Sequence, residues 1–303
     1  MAVVLTALLP LLLIVLLGVL FRAFRIADSM WVTILNRFGL YVAFPAVIVH
    51  SFIKADKSQI LDLPVIGLNI VLLLLVFFTA FLLTRGLRDR KQLANTYIIG
   101  AFFGNIGYLG YPYISAMIPG SEGMISMHIS MYNILLFTLG IAHLEHSKGH
   151  LTCKKTIVNK IISNPLLISV AVGLLILITG VQLPEFISKP IDLLYRSATP
   201  VVLFALGVFL YRKYSWRAWI PHILGMTVIR LVLVPGLFLL AMVLLSPGVN
   251  FRVSVLEAGM PLALTPFALA EEYPLEREVI APAVLLSTLL SPLSLAALLR
   301  IVS

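Results

Sequence analysis

Residues 102–113 read FFGNIGYLGYPY. Gly104, Gly107, Gly110, Asn105 and Pro112 crowd into a run that is otherwise apolar enough for a membrane helix, yet glycine and proline are the poorest helix formers. A second stretch of the same kind, EAGMPLALTPF, occupies residues 257–267. In hydrocarbon, each backbone group freed by a helix break costs several kcal/mol, so a break survives only where protein or a wet cavity satisfies it again. Two such breaks in one chain predict two interrupted spans around a cavity.

The rest of the chain supplies the membrane. Of 303 residues, 60% are hydrophobic and 12% charged, and the mean hydropathy is +1.06. Those values exclude a soluble globular domain and define an all-α integral membrane protein. A span needs about 20 apolar residues to cross a core about 30 Å thick. Ten runs qualify: Val3 to Phe21, Trp31 to Ile53, Leu63 to Leu83, Leu93 to Ile118, Met124 to Leu144, Pro165 to Thr179, Ile191 to Tyr211, Trp219 to Leu245, Val253 to Ala270 and Val279 to Leu299. The first is expected to stay as a helix, because no small-residue cleavage site follows it. Cys153 is the one cysteine, so no internal disulfide and no cysteine metal site arises.

Charge sets the expected orientation. Loops after odd-numbered runs hold Arg22, Arg25, Arg85, Arg88, Arg90, Lys91, Lys148, Lys154, Lys155, Lys160, Arg212, Lys213, Arg217 and Arg277, whereas the other side has Lys54, Lys57, Lys189, Arg252 and Arg300. By the positive-inside rule the first set is cytoplasmic and both termini lie outside. The net charge of +9 then reads as topology and contact with anionic lipid, and nucleic acid is not expected as a partner.

The two halves echo each other at an offset of about 155 residues. Pro10 and Gly18 recur as Pro165 and Gly173, Arg37 as Arg196, and Pro112 with Glu122 as Pro266 with Glu276. An odd number of crossings per copy inverts the second copy. The expected organisation is therefore a first five-helix repeat at 1–145, a short cytoplasmic linker at 146–163 and an inverted repeat at 164–303. Inverted repeats with matched broken helices are a transporter signature. Half-helix ends offer N–H groups and positive dipole to an anion, and Asn105 adds a side-chain amide, so a carboxylate is the expected guest.

Other residues invite separate readings. Glu257 is an acid within the ninth run: it either carries a coupling proton or sits near enough to Arg252 and the outer surface to reach water. Arg230, midway along the eighth run, is its candidate partner, or a buried cation held by carbonyls. Asn69, with Ser126, Ser130 and Asn133 on one helical face, reads as interhelical hydrogen bonding or cavity lining. Arg37 and Arg196 read as helix anchors, with Asp192 placed to pair with Arg196. Tyr108 and Tyr111 either shape the cavity or simply pack. HLEHSKGHLTC at 143–153 holds His143, His146, His150 and Cys153 but lacks the H-E-x-x-H pattern of a zinc protease, two histidines one helical turn apart with an intervening general base, so no metal is expected. Phosphate-loop, nucleophile-elbow and dinucleotide fingerprints are missing, so neither an enzyme nor a cofactor is expected.

LNRFGLYVAFPAVIV at 35–49, GNIGYLGYP at 104–112, RLVLVPG at 230–236 and AGMPLALTPFALAEEY at 258–273 together resemble the auxin efflux carrier superfamily, plant carriers and shorter bacterial permeases included. The resemblance implies ten helices in two inverted repeats, a scaffold part and a transport part, and fourth and ninth helices crossing as an X, an architecture like that of sodium/bile-acid symporters. It implies a substrate anion at the crossing, with Asn105 on its carboxylate; the expected binding set is Asn105, Gly104, Gly107, Tyr108, Pro112, Pro261, Leu262 and Pro266. Gly104 stands where plant carriers have proline, and Leu262 where many members are polar. The short linker matches the bacterial type, for which small organic acids are implied. The expected function is secondary transport of such anions by alternating access, with a proton or sodium as coupling ion and a homodimer as the assembly left open. A sodium-coupled symporter of the bile-acid type is the alternative, and an intramembrane enzyme the remote one.

Overall fold

A segment in hydrocarbon must satisfy its own backbone, and an α-helix does so without neighbours. The computed structural model describes residues 2–54, 63–87, 90–148, 163–211, 216–248 and 250–302, and it is helical nearly throughout. The first helix, α1 (Ala2–Ala23), is followed by α2 (Ser29–Phe38), which starts at Asp28, whose carboxylate accepts the N–H groups of Met30 and Trp31. A π turn at Gly39–Ala43 carries α2 into α3 (Phe44–Lys54), and α4 spans Leu63–Leu83. Next come α5 (Lys91–Phe102), a π turn at Ile106–Gly110 leading into α6 (Tyr111–Met117), and α7 (Glu122–Ser147). The second half has α8 (Pro165–Thr179), α9 (Glu185–Leu210), then α10 (Trp216–Val228) running through a π turn at Ile229–Leu233 into α11 (Val234–Leu245). It ends with α12 (Phe251–Ala258), the short α13 (Thr265–Leu269) and α14 (Arg277–Val302).

Among the described residues, six helical runs are long and apolar enough to cross a membrane: Ser29–Lys54, Pro64–Leu87, Met127–Ser147, Glu185–Leu210, Arg217–Leu245 and Arg277–Val302. Leu12–Ala23 and Pro165–Thr179 are shorter apolar helices. The fourth and ninth expected spans are the interrupted pairs α5/α6 and α12/α13. Large apolar side chains such as Leu13, Leu16 and Leu17 on α1, and Val243, Leu244 and Leu245 on α11, point outward. A surface of that kind is suited to lipid.

Two groups of helices pack together. In one, α1 lies on α9, α3 on α8, and α9 also on α2 and α3; in the other, α4 packs on α5, α10 on α14, and α12 on α11 and α14, while α7 packs on α3 and also touches α5. Between hydrocarbon-facing helices the hydrophobic effect gives no drive, so small residues set how closely backbones approach. Gly207 shows this: a Cβ there would lie 2.0 Å from the Val15 carbonyl oxygen, and one on Gly18 would lie 2.3 Å from that of Phe204. A Cβ on Gly173 would lie 2.1 Å from the Phe52 ring on α3.

Candidate functional site

The helix breaks meet. Helix α5 ends at Phe102, Phe103 turns extended (φ −92°, ψ 100°), and the next helical turn begins at Ile106. Across from it, Met260 to Leu264 run irregularly between α12 and α13. The two unwound strips lie antiparallel as a single bridge, Gly104 opposite Leu262. Asn105 N–H donates to the Pro261 carbonyl at 2.8 Å, and Ala263 N–H returns a bond to the Phe103 carbonyl at 3.1 Å. Leu262 N–H finds the Ser287 hydroxyl at 3.2 Å. The sequence pointed to freed amides waiting for an anion at both breaks; instead, the N–H groups of Asn105 and Ala263 satisfy the opposite strand. What remains at the crossing is the start of the half-helix at Ile106, whose first N–H groups have no partner within the helix.

The freed carbonyls have a partner too. Arg230 sits in the π turn between α10 and α11 and is buried. Its Nη1 donates to the Ala101 carbonyl at 3.0 Å, its Nη2 to those of Met260 at 2.8 Å and Ala258 at 3.2 Å, and its Nε to Met260 at 3.3 Å. One guanidinium thus closes the C-terminal ends of α5 and α12, where helix dipoles are negative. The buried cation held by carbonyls is the arrangement found, and pairing with Glu257 is not. A Cβ on Gly104 would lie 2.3 Å from Arg230 Nη2, so a side chain there would make the guanidinium shift from its carbonyl partners.

Glu257 is fully buried, at 0% exposure, which removes the reading in which it reaches water. Its Oε2 is 2.8 Å from Nδ1 of His128 on α7, while Oε1 has no hydrogen-bond partner. The polar cluster continues: His128 stacks on Tyr132, whose hydroxyl donates to Asn69, and the Asn69 amide donates to Ser254 at 2.7 Å. Glu257, Arg230, Gly104 and Tyr132 border one small void of about 10 Å³. His128 was not singled out in the sequence, although Tyr132 at i+4 places a second polar ring on its face.

Asn105 faces the other way. It is buried and lines a void of about 20 Å³ with Thr199 and Leu203 of α9, Leu12 and Val15 of α1, Leu264, and Val284, Leu285 and Thr288 of α14. That void lies where the two helix groups meet. The Thr199 hydroxyl has no partner. Gly107 lies in the π turn below Asn105, Pro261 and Leu262 form the opposing strip, and Pro266 sits in the first turn of α13. Pro112 opens α6 and Tyr108 lies in the π turn, but their side chains are outside the described residues. The structure therefore separates the predicted set: Asn105 borders one void, while Gly104, Arg230 and Glu257 border another behind the bridge.

Several other residues resolve. Asn69 and Asn133 make interhelical bonds, the latter to Ser51 at 3.1 Å; the side chains of Ser126 and Ser130 lie outside the described residues. Asp192 pairs with Arg196 at 2.8 Å, as its spacing predicts. Tyr111 is half-buried against the core, and Arg37 reaches Glu272 at 3.4 Å, tying α2 to the loop after α13. His143 bonds Asn95 at 3.0 Å; His150 and Cys153 are outside the described residues, as are Lys57, Arg88, Lys154, Lys155, Lys160, Arg212 and Lys213. At the end of the molecule near Arg37, a cavity of about 190 Å³ is bordered by Tyr41, Glu145, Lys148, Asn164, Glu272 and Tyr273. Tyr273 donates to Glu145 at 2.9 Å. Burial, and then the Glu145 charge, push its phenol well above the usual tyrosine range, so it stays protonated.

Comparison with known proteins gives a consistent result. A profile of the family described as Membrane transport protein matches residues 3–299. An "Uncharacterized transporter" of Methanothermobacter thermautotrophicus is 30% identical over 95% of this chain and 94% of its own. A "Putative malonate transporter" of Rhizobium meliloti is 26% identical over 88% of this chain and 86% of its own. "Auxin efflux carrier component 8" of Arabidopsis thaliana is 32% identical over 37% of this chain and 31% of its own.

Proposed function

The chain belongs to the membrane transport protein family, that of the auxin efflux carriers, and on that premise we propose that it is a secondary carrier moving small organic-acid anions through the helix crossing by alternating access. The observation that carries the proposal is the position of Asn105: on a self-satisfied bridge, beside a void at the seam between two helix groups. The α1/α2/α3/α8/α9 group is the scaffold. The group built around α5 and α12 is the moving part, and it carries the crossing with it. In this reading the cavity beside Tyr41 and Tyr273 is the cytoplasmic approach, and, as the charge distribution of the loops supports, both termini lie outside, in a membrane of the bacterial inner type.

Ten spans in two inverted repeats, 1–145 and 164–303 about the 146–163 linker, suit this reading. Gly18 and Gly173 correspond in the repeat, and each is a point of closest approach within the scaffold. The interrupted pairs α5/α6 and α12/α13 correspond as well.

Coupling falls to a proton at the Glu257–His128 pair. A sodium site would need carboxylates and freed carbonyls, and here the freed carbonyls of Ala101, Ala258 and Met260 are taken by Arg230. Uncoupled export of a monoanion would instead draw about 2.3 kcal/mol per 100 mV of inside-negative potential. The test is uptake of labelled carboxylates into proteoliposomes, under an imposed pH gradient and under a sodium gradient. Uptake driven by the pH gradient and abolished in Asn105→Ala supports the proposal. Strict dependence on sodium, or uptake indifferent to Asn105, overturns it.

A further inference from the structure

Thr199 departs from every other described helical threonine whose hydroxyl bonding is resolved. Thr84, Thr96, Thr179 and Thr227 each return their hydroxyl to the carbonyl four residues back, at 2.7 to 2.9 Å. That local bond is the ordinary way to satisfy a hydroxyl in an apolar helix. The carbonyl four residues before Thr199 belongs to Tyr195, yet the Thr199 hydroxyl is buried without any partner. A buried, unbonded hydroxyl is costly to keep unless something else uses it.

Thr199 lines the same void as Asn105, and so does Thr288 on α14. Three neutral polar side chains therefore converge from three elements: the unwound strip after α5, α9 and α14. Their donors are one amide and two hydroxyls. The remaining described lining is Leu12, Val15, Leu203, Leu206, Leu264, Val284 and Leu285, all branched aliphatics, with no lysine, arginine, histidine or aromatic ring among them.

From this lining we infer that the site takes monocarboxylates with a branched aliphatic body, their carboxylate held by Asn105 on one side and by the Thr199 hydroxyl from the scaffold on the other. The inference rests on the carrier reading above and narrows its substrate class. One carboxylate can be met by neutral donors, as an oxyanion is by amides and hydroxyls. A second carboxylate would be desolvated among leucines with no cation to meet it, at a cost of several kcal/mol. The void of about 20 Å³ holds roughly one water, so binding must part the α1/α9 face from the crossing. Thr199 moves with one wall and Asn105 with the other, and the anion links the two.

The experiment is calorimetric binding of 3-methylbutanoate, malonate and phenylacetate to the purified full-length protein, with Thr199→Val, Thr199→Ser and Asn105→Ala, and with the melting temperature of each ligand-free variant recorded. The inference expects 3-methylbutanoate to bind at least about tenfold tighter than malonate or phenylacetate. It expects Thr199→Val to weaken that binding about tenfold or more, by loss of a hydrogen bond to a charge, and Thr199→Ser to retain it. Thr199→Val should at the same time melt higher than wild type without ligand, because it removes an unsatisfied hydroxyl; a purely structural threonine would give the opposite. Tighter binding of malonate or phenylacetate, or an unchanged affinity in Thr199→Val while Asn105→Ala still loses it, overturns this inference and leaves the carrier reading standing. Binding of no carboxylate, or binding indifferent to Asn105→Ala, removes both.

Discussion

Replacing Arg230 with methionine tests how the crossing is held. The side chain donates to three carbonyl oxygens, those of Ala101, Ala258 and Met260, two of them on the strand or helix opposite to α5. Each carbonyl left without a partner in a buried site costs about 1–3 kcal/mol, so the gross loss is about 3–9 kcal/mol. Relief from burying the guanidinium offsets part of that, so the net loss is expected at about 3–5 kcal/mol, toward the lower end of the gross range. For a chain of this size, 1 kcal/mol corresponds to roughly 2 °C, giving a fall of about 6–10 °C. The assay is thermal unfolding in detergent, followed by tryptophan fluorescence and by loss of the monodisperse peak. Gly104→Ala should fall in the same direction by a smaller amount, since its Cβ pushes on Nη2 from 2.3 Å. Arg230→Met melting within about 2 °C of wild type would refute the reasoning, because the carbonyls would then be satisfied some other way.

Three further outcomes are expected. Glu257→Gln and His128→Gln should each flatten or shift the pH dependence of uptake, and the double variant should do no more than either single one, since the two groups act as one pair. An unchanged profile in both removes the pair from coupling. Gly207→Ala should cost about 1–3 kcal/mol or more by driving α9 off the Val15 carbonyl, whereas Gly236→Ala, with open space around it, should be neutral; equal effects in thermal melts would show that α1 and α9 do not pack through that glycine. Asn36 is completely buried with both amide atoms unpartnered, so Asn36→Leu should raise stability by about 1–2 kcal/mol, and a lower melting temperature would reveal a partner for the amide.

Much of this was legible in residue order because the bilayer is a strict solvent. Glycine and proline in FFGNIGYLGYPY and EAGMPLALTPF mark the two interruptions without any knowledge of what surrounds them, and the Asp192–Arg196 pair follows from a four-residue spacing. The use made of the freed backbone was not legible. Arg230 bonds carbonyls, which carry no residue identity, and the bridge between Asn105 and Pro261 is a contact between segments more than 150 residues apart. His128 and Glu257 come together across a separation of 129 residues, so only packing of α7 on the crossing brings them into register. Thr199 looked like any helical threonine, because its distinction, a buried hydroxyl without a partner, depends on packing that residue order does not display. Asn105 stands apart: its residue type and its place in the break pointed to a void lined in part by a polar amide, and it borders one.

The most direct measurement is an anomalous difference map from crystals of the protein soaked with 2-bromo-3-methylbutanoate. The account predicts a bromine peak between the Asn105 side chain and the α9 face at Thr199, inside a cavity wider than the one described above. A peak seated elsewhere, with the seam between α9 and the crossing still closed, would contradict it.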